Sequence, residues 1–174
     1  MELSMLEWLW AWKSELQHAY VFIVFLAALR WGGAPERILA GSFAAEALAH
    51  PFYHWFAHGS VFWHHLDLGH LAIDCTFFAI FFPVALQANR VYTLWIGSAQ
   101  IIAMSAHVYR FSLTEINRMA YDMMAVSPSY IQLTALGLGL AFHMSRQKKL
   151  GSYPSWRNSF SPTQVVNPKL SRAV

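Results

Sequence analysis

Residues 50 to 70, HPFYHWFAHGSVFWHHLDLGH, contain six of the nine histidines in the chain. Neutral imidazole nitrogens and carboxylate oxygens bind zinc, iron, copper and manganese, and a His-x-x-x-His pair places two imidazoles on adjacent turns of a helix. His50 with His54, and His54 with His58, have this spacing. The segment therefore predicts a metal or cofactor site if its first half is helical.

Three predicted helices each carry one polar stripe, because their ionisable and amide residues recur at about 100° per residue on a common face. A charged group that faces lipid is costly, by about 2.5 to 3.5 kcal/mol at a helix centre, so the stripes should face one another. We expect a buried polar cluster that opens at one membrane surface. The first two stripes hold the candidate metal ligands, Glu46, His50, His54 and His58 on one helix and Asp67, His70 and Asp74 on the next, and the third stripe holds Gln100 and His107.

The cofactor that these residues would bind is left open by the sequence among a transition-metal ion, a haem and a chlorophyll-type pigment. A single imidazole, His50 or His70, could bind a haem iron or a pigment magnesium, and the small residues of AGSFAAEALAH would leave room for a macrocycle. Membrane di-iron hydroxylases also carry His-x-x-x-His pairs. The chain lacks their repeated His-x-x-His-His boxes, which argues against that class.

The same aromatic and histidine residues also fit an interfacial belt that needs no ligand. Trp and Tyr gather where an amphipathic ring suits the membrane surface. A belt does not explain Glu46, His50, His70 and Asp74, which are predicted to lie one to two turns deeper, although these four could pair with one another to hold helices together. The residues that fit the belt are His54, Trp55, His58, Trp63, His64 and His65.

The composition indicates an integral membrane protein. Of 174 residues, 56% are hydrophobic and only 12% are charged, which is far from an average soluble domain. The single cysteine, Cys75, excludes a disulfide or a cysteine-based zinc site within one copy. Because Glu2 and Glu7 stand where a cleavable signal peptide would be basic, we expect the chain to retain its N-terminus.

The apolar runs predict an all-α, polytopic membrane helix bundle of about five transmembrane helices, with four as the alternative. Residues 1–16 are rich in Trp and too short to cross, so they predict an interfacial amphipathic helix. Residues 17–145 form the predicted bundle, and residues 146–174 a basic cytoplasmic tail that is ordered only if a partner holds it. The predicted spans are 17–31, 37–58, 66–87, 91–109 and 129–145, with an interfacial segment at 111–129.

The Lys and Arg residues predict the orientation of this bundle. Five spans place nine of the twelve basic residues on one side and leave Lys13, Arg110 and Arg118 on the other. Since cytoplasmic loops carry an excess of Lys and Arg, the C-terminus should be cytoplasmic and the histidine-containing turn external.

Four stretches of the chain resemble a family of small, uncharacterised polytopic inner-membrane proteins of bacteria. The resemblance covers about residues 18 to 145 and implies a multi-pass location in the bacterial inner membrane, but it assigns no activity and no functional residue. The stretches are LRWGGAPERILAG (29–41), LGHLAID (68–74), LQANRVYTLWI (86–96) and MAVSPSYIQL (124–133).

Two classes of function compete at this point. The first is a non-enzymatic accessory or assembly subunit of a larger respiratory or photosynthetic membrane complex, with membrane lipid and other membrane subunits as partners. The second is a metal- or haem-binding membrane redox protein that uses the external polar cluster. The sequence has no phosphate-binding glycine loop and no nucleophile elbow, and its net charge of +3 suits anionic lipid rather than nucleic acid.

A reporter fused after Val174 should be cytoplasmic, whereas one inserted at Gly59 should be external, because the basic residues divide nine to three between the two sides. Alkaline phosphatase and fluorescent protein fusions measure this directly. Both reporters on one side of the membrane would contradict the five-span arrangement.

Overall fold

The computed structural model describes residues 5–56, 62–63, 66–112, 118–151 and 153–157. Within these ranges the chain is all-α, with five helices and one short β ladder in which Phe62–Trp63 pairs antiparallel with Leu66–Asp67. The helices are α1 (Met5–Trp31), α2 (Ala34–Phe56), α3 (Leu68–Gln87), α4 (Tyr92–Ser112) and α5 (Arg118–Leu150).

Consecutive helices are antiparallel neighbours. The packing of α4 against α3 and α5 is the most extensive, and α1 packs mainly against α2. The turns α1–α2 and α3–α4 therefore lie at one end of the bundle with the C-terminus of α5, which we call the Arg90 end. The C-terminus of α2 and the N-terminus of α3 lie at the opposite end, which we call the His50 end.

Local signals fix where α2 and α3 begin. Gly32 and Gly33 form the turn after α1, and the Glu36 carboxylate accepts a hydrogen bond of 3.0 Å from the Gly33 N–H, which is one half of a capping box. Asp67 is the N-cap of α3, and its Oδ1 accepts from the N–H groups of Gly69 and His70. Both carboxylates take part in a larger polar cluster, so each cap also positions a site.

Several polar side chains are buried beside the apolar core, while several large apolar side chains are exposed. Gln100 and Gln132 are only 1% and 3% exposed, whereas Ile23 and Phe142 are 65% and 71% exposed. In the described part of the chain, one helix, Leu68–Gln87, is long and apolar enough to cross a membrane.

The element boundaries differ from those predicted at three places. Helix α1 continues without a break through the position predicted to separate residues 1–16 from the first span. Helix α5 starts at Arg118, within the segment predicted to be interfacial, and passes through the buried Pro128. A proline inside a helix is tolerated where neighbouring helices satisfy the freed backbone groups.

The first part of the predicted tail is also structured. Helix α5 extends to Leu150 and ends at Gly151, whose φ of 72° is the left-handed conformation common after helix ends. The chain then returns to the α3–α4 turn, where the Asn89 N–H donates to the Ser155 carbonyl at 3.0 Å. Helix α5 therefore continues through residues 146–150 and residues 153–157 pack against the bundle, where the sequence predicts a tail from residue 146.

Replacing Gly97 by Ala should lower the free energy of unfolding by about 1–3 kcal/mol, the usual cost of overpacking. A Cβ at position 97 would lie only 2.8 Å from the Ala85 Cβ, so α3 and α4 would have to separate. Thermal unfolding in detergent measures the effect. The matched control is Gly41→Ala, where the nearest atom is Phe25 Cε2 at an ordinary 3.7 Å, and which should be neutral or slightly stabilising. Equal melting temperatures for the two variants would show that α3 and α4 are not in close contact at Gly97.

Candidate metal centre

Three imidazoles converge at the His50 end of the bundle. The Nε2 atom of His50 lies 3.1 Å from that of His70 and 3.3 Å from that of His54. One potential ligand atom from each of the three residues lies within 4.8 Å of the other two. Two nitrogens bound at about 2.0–2.1 Å to a tetrahedral zinc ion are separated by about 3.3 Å. The spacing of two of the three nitrogen pairs thus matches the first coordination shell of one metal ion.

Each histidine is placed by helix geometry. His50 and His54 are one turn apart near the end of α2, so their side chains share a face. His70 lies in the first turn of α3, which the Asp67 cap fixes in position. All three side chains are half-buried, so an ion can reach them from the His50 end.

Asp67 orients the His70 ring. Its Oδ2 lies 2.7 Å from His70 Nδ1, and its Oδ1 accepts a hydrogen bond from the Tyr53 hydroxyl at 3.0 Å. Because the carboxylate accepts the Nδ1–H, the Nε2 of a neutral His70 carries a lone pair directed at His50. A carboxylate behind a histidine is the usual outer-shell partner of a metal ligand, where it fixes the tautomer and raises the basicity of the ring.

Hydrogen bonds alone do not satisfy this arrangement. The His50 Nε2 has two close imidazole neighbours, but a neutral ring nitrogen offers either one proton or one lone pair. His50 Nε2 can therefore form a hydrogen bond with only one of these two neighbours. A cation among the three nitrogens satisfies all three lone pairs at once.

A second polar cluster lies deeper in the bundle and connects three helices. The Asp74 carboxylate lies 2.7 Å from His107 Nε2 and accepts a hydrogen bond of 3.1 Å from the Gln100 amide. The Gln100 Oε1 in turn accepts from Gln132 Nε2 at 2.7 Å. Glu46 on α2 interacts electrostatically with the Asp74 charge. These contacts give α3, α4 and α5 a specific relative register.

The sequence-predicted site residues are thus divided between two clusters. His50, His54 and His70 come together as potential ligands, and Asp67 supports one of them. Asp74 pairs with His107 on α4 and not with His70 on its own helix, so it belongs to the deeper cluster together with Glu46. His58 lies outside the described residues. Tyr53 was missed because a tyrosine near a membrane surface is more typical of an aromatic belt.

The Arg90 end contains a third polar cluster that the sequence analysis did not predict. Arg90 Nε donates to the Glu36 carboxylate at 3.1 Å, and both side chains are almost completely buried. The Arg90 Nη1 donates to the carbonyls of Asn89 and Pro154. An acidic residue at the start of α2 and an arginine at the α3–α4 turn meet because both turns lie at the same end of the bundle.

Tyr153 completes this cluster. Arg90 Nη2 lies 3.4 Å from His143 Nδ1, and because arginine can only donate, that nitrogen is an acceptor. The Tyr153 hydroxyl, 2.6 Å from the same atom, donates the short hydrogen bond to its single lone pair, and the longer Arg90 contact is a charge contact and not a second hydrogen bond. Burial raises the pKa of the Tyr153 hydroxyl, which keeps the proton in place for this hydrogen bond.

Comparison of the chain with protein-family models, with curated proteins and with solved structures gives no match. The family resemblance described above therefore stays a prediction, and the functional argument depends on the geometry of the clusters.

Replacing Glu36 by Ala should destabilise the bundle by about 3–5 kcal/mol, because it leaves the buried Arg90 guanidinium without its counter-charge. Unfolding in detergent at neutral pH measures the loss. The matched control is Arg37→Ala, one residue away on an exposed side chain, which should change stability by no more than about 0.5 kcal/mol. Equal effects of the two substitutions would mean that water solvates the Glu36–Arg90 pair.

Proposed function

We propose that the chain is a multi-pass membrane protein that binds one divalent transition-metal ion through His50, His54 and His70. The observation that carries the metal proposal is the convergence of three imidazole nitrogens, with 3.1 and 3.3 Å between the closest pairs. The Asp67 carboxylate behind His70 supports it, because an interfacial belt requires neither a fixed tautomer nor convergent nitrogens.

The distribution of polar and apolar side chains supports a location in the membrane for all five helices. Leu26 and Trp95 are each 64% exposed, whereas the polar residues Thr93 and Gln100 are each only 1% exposed. In lipid, apolar side chains can face outward and polar groups must satisfy one another inside the protein. Helix α3 has sufficient apolar length on its own, and the other four are proposed to span as members of the bundle.

An ion fits the three histidines better than a macrocycle does. A haem or chlorophyll bound by His50 would occupy the space in front of Nε2, where the His70 ring lies at 3.1 Å. Three imidazoles suit zinc, copper, iron or nickel, and the absence of thiolate among the three ligands disfavours the softest ions. Zinc is the first choice, because three protein ligands and an open fourth position are typical of its catalytic sites.

The open fourth position defines what the site can do. A water or a small anionic ligand could bind the ion there, and the half-buried rings leave access from the His50 end. Copper or iron at the same position would give the redox protein that is the second class of function from the sequence, whereas zinc would give a Lewis-acid site. A role as an accessory subunit of a larger membrane complex is compatible with either ion, and copurification of the same sample with a partner would support it.

Metal content should be about one ion per chain in the purified protein and should be lost in His50→Ala and His70→Ala. Asp67→Asn should bind the same ion about 10–100-fold more weakly, because it removes the charge that holds the His70 tautomer. Elemental analysis identifies the ion after purification in mild detergent without chelators, and zinc titration of the stripped protein gives the affinity.

The matched control is His64→Ala with His65→Ala, which removes two histidines that lie outside the described residues and should leave metal content unchanged. Helical circular dichroism confirms that each variant is folded. Retention of the ion in both His50→Ala and His70→Ala, with loss in the control, would place the site in the connection between α2 and α3 and refute the assignment.

A further inference from the structure

A cleft of about 480 Å³ opens at the Arg90 end, on the opposite side of the bundle from the three histidines. It lies between the α3–α4 turn, α5 and the returning chain that carries Tyr153. Glu36 and His50 are separated by 14 residues of α2, or about 21 Å at 1.5 Å per residue. The cleft is therefore too distant to share a ligand with the histidine cluster.

The charge of the cleft is entirely positive. Its lining includes Arg90, Arg146 and Arg157 and contains no aspartate or glutamate. Arg90 is neutralised from behind by Glu36, but no ion pair with an acid is found for Arg146 or Arg157 among the described residues. Two guanidinium groups on exposed side chains thus face the same cavity. The paired N–H groups of an arginine guanidinium match the geometry of phosphate oxygens.

The arginines are held in place at the rim. The Arg146 guanidinium lies 4.6 Å from the centre of the Tyr153 ring, and Arg90 lies 4.2 Å from it. Arg157 donates to the Leu86 carbonyl at 3.3 Å, which leaves its other N–H groups available. Pre-positioned guanidinium groups lose less conformational entropy on binding an anion.

One part of the cleft lining forms a wall that is apolar and open to the outside. Leu94 and Phe142 line it, and their side chains are 48% and 71% exposed. A free phosphate would gain nothing from this wall. A phospholipid would place its phosphate at the arginines and the first part of an acyl chain along the exposed apolar residues.

We propose that this cleft binds the phosphate group of an anionic phospholipid, with Arg146 and Arg157 as the phosphate contacts and Leu94 and Phe142 along the acyl chain. The inference rests on the proposed membrane location but not on the metal site. It is consistent with the rule that cytoplasmic ends of membrane helices carry the basic residues, because anionic lipid is enriched there.

The test compares the full chain with Arg146→Gln/Arg157→Gln in mixed micelles that contain phosphatidylglycerol or phosphatidylcholine. Phosphatidylglycerol should raise the melting temperature of the parent chain more than phosphatidylcholine does. The apparent affinity for phosphatidylglycerol should fall about tenfold in the double variant, as expected when a charge-assisted hydrogen bond is lost. Native mass spectrometry should show retained phosphatidylglycerol in the parent chain and little in the variant.

The matched control is Lys148→Gln/Lys149→Gln, which removes two charges from the same exposed end of α5 but does not line the cleft. It should retain the lipid preference. An equal loss in both variants would mean that only net charge matters, and equal stabilisation by millimolar inorganic phosphate would mean that the site takes free phosphate; either result overturns the proposal.

Fractionation separates this proposal from the assumption on which it rests. A chain recovered as soluble protein would contradict the membrane location itself. A membrane-inserted chain with no preference for phosphatidylglycerol would overturn only the lipid site. Circular dichroism on the double variant verifies its fold, which should be intact because both arginines are exposed.

Discussion

The constraint on which this structure depends is that a polar group buried inside a bundle with an apolar exterior needs a partner there, either another group of the protein or a bound ligand. An unpaired buried donor or acceptor costs about 1–3 kcal/mol, which is a large fraction of the stability of most domains. The connection from Gln132 through Gln100 to Asp74 and His107 shows how this constraint acts. Apolar packing is not directional, so these hydrogen bonds specify which faces of α3, α4 and α5 meet.

The two ends of the bundle satisfy the same constraint differently. At the Arg90 end, Glu36 accepts from the Gly33 N–H and from Arg90, and the guanidinium donates to two carbonyls. All of these hydrogen-bond partners of Glu36 and Arg90 come from the protein itself. At the His50 end, Asp67 satisfies one nitrogen of His70, but the Nε2 atom of His50 lies next to those of His70 and His54. The proposed metal ion would satisfy the nitrogens at this second end.

Sequence reasoning predicts the helices and the face of α2 that carries the histidines, because helical spacing is a local property. It does not separate ligands from supporting residues. Asp67 and Asp74 have the same residue type and nearly the same helical phase, yet the first caps α3 and holds His70, and the second contacts α4. Pairings such as Glu36 with Arg90 span 54 positions and depend on which turns share an end of the bundle.

The sequence pattern predicts breaks within the continuous helices α1 and α5, because their Trp, charged and Pro residues interrupt the apolar pattern locally. Tertiary packing sustains each helix through these positions.

A metal site is distinguished from an aromatic belt by the orientation of its side chains more than by their residue types. A belt residue needs one apolar side and one side in water, and its ring can rotate freely between them. The His70 ring cannot rotate in this way, because Asp67 holds Nδ1 and is itself fixed by two backbone N–H groups and the Tyr53 hydroxyl. This fixed ring directs its second nitrogen to the point where the rings of His50 and His54 also meet, at centroid separations of 5.2 and 5.3 Å from His70. Asp67 accepts four hydrogen bonds, and this arrangement has a clear physical role if His70 must present a lone pair to a cation.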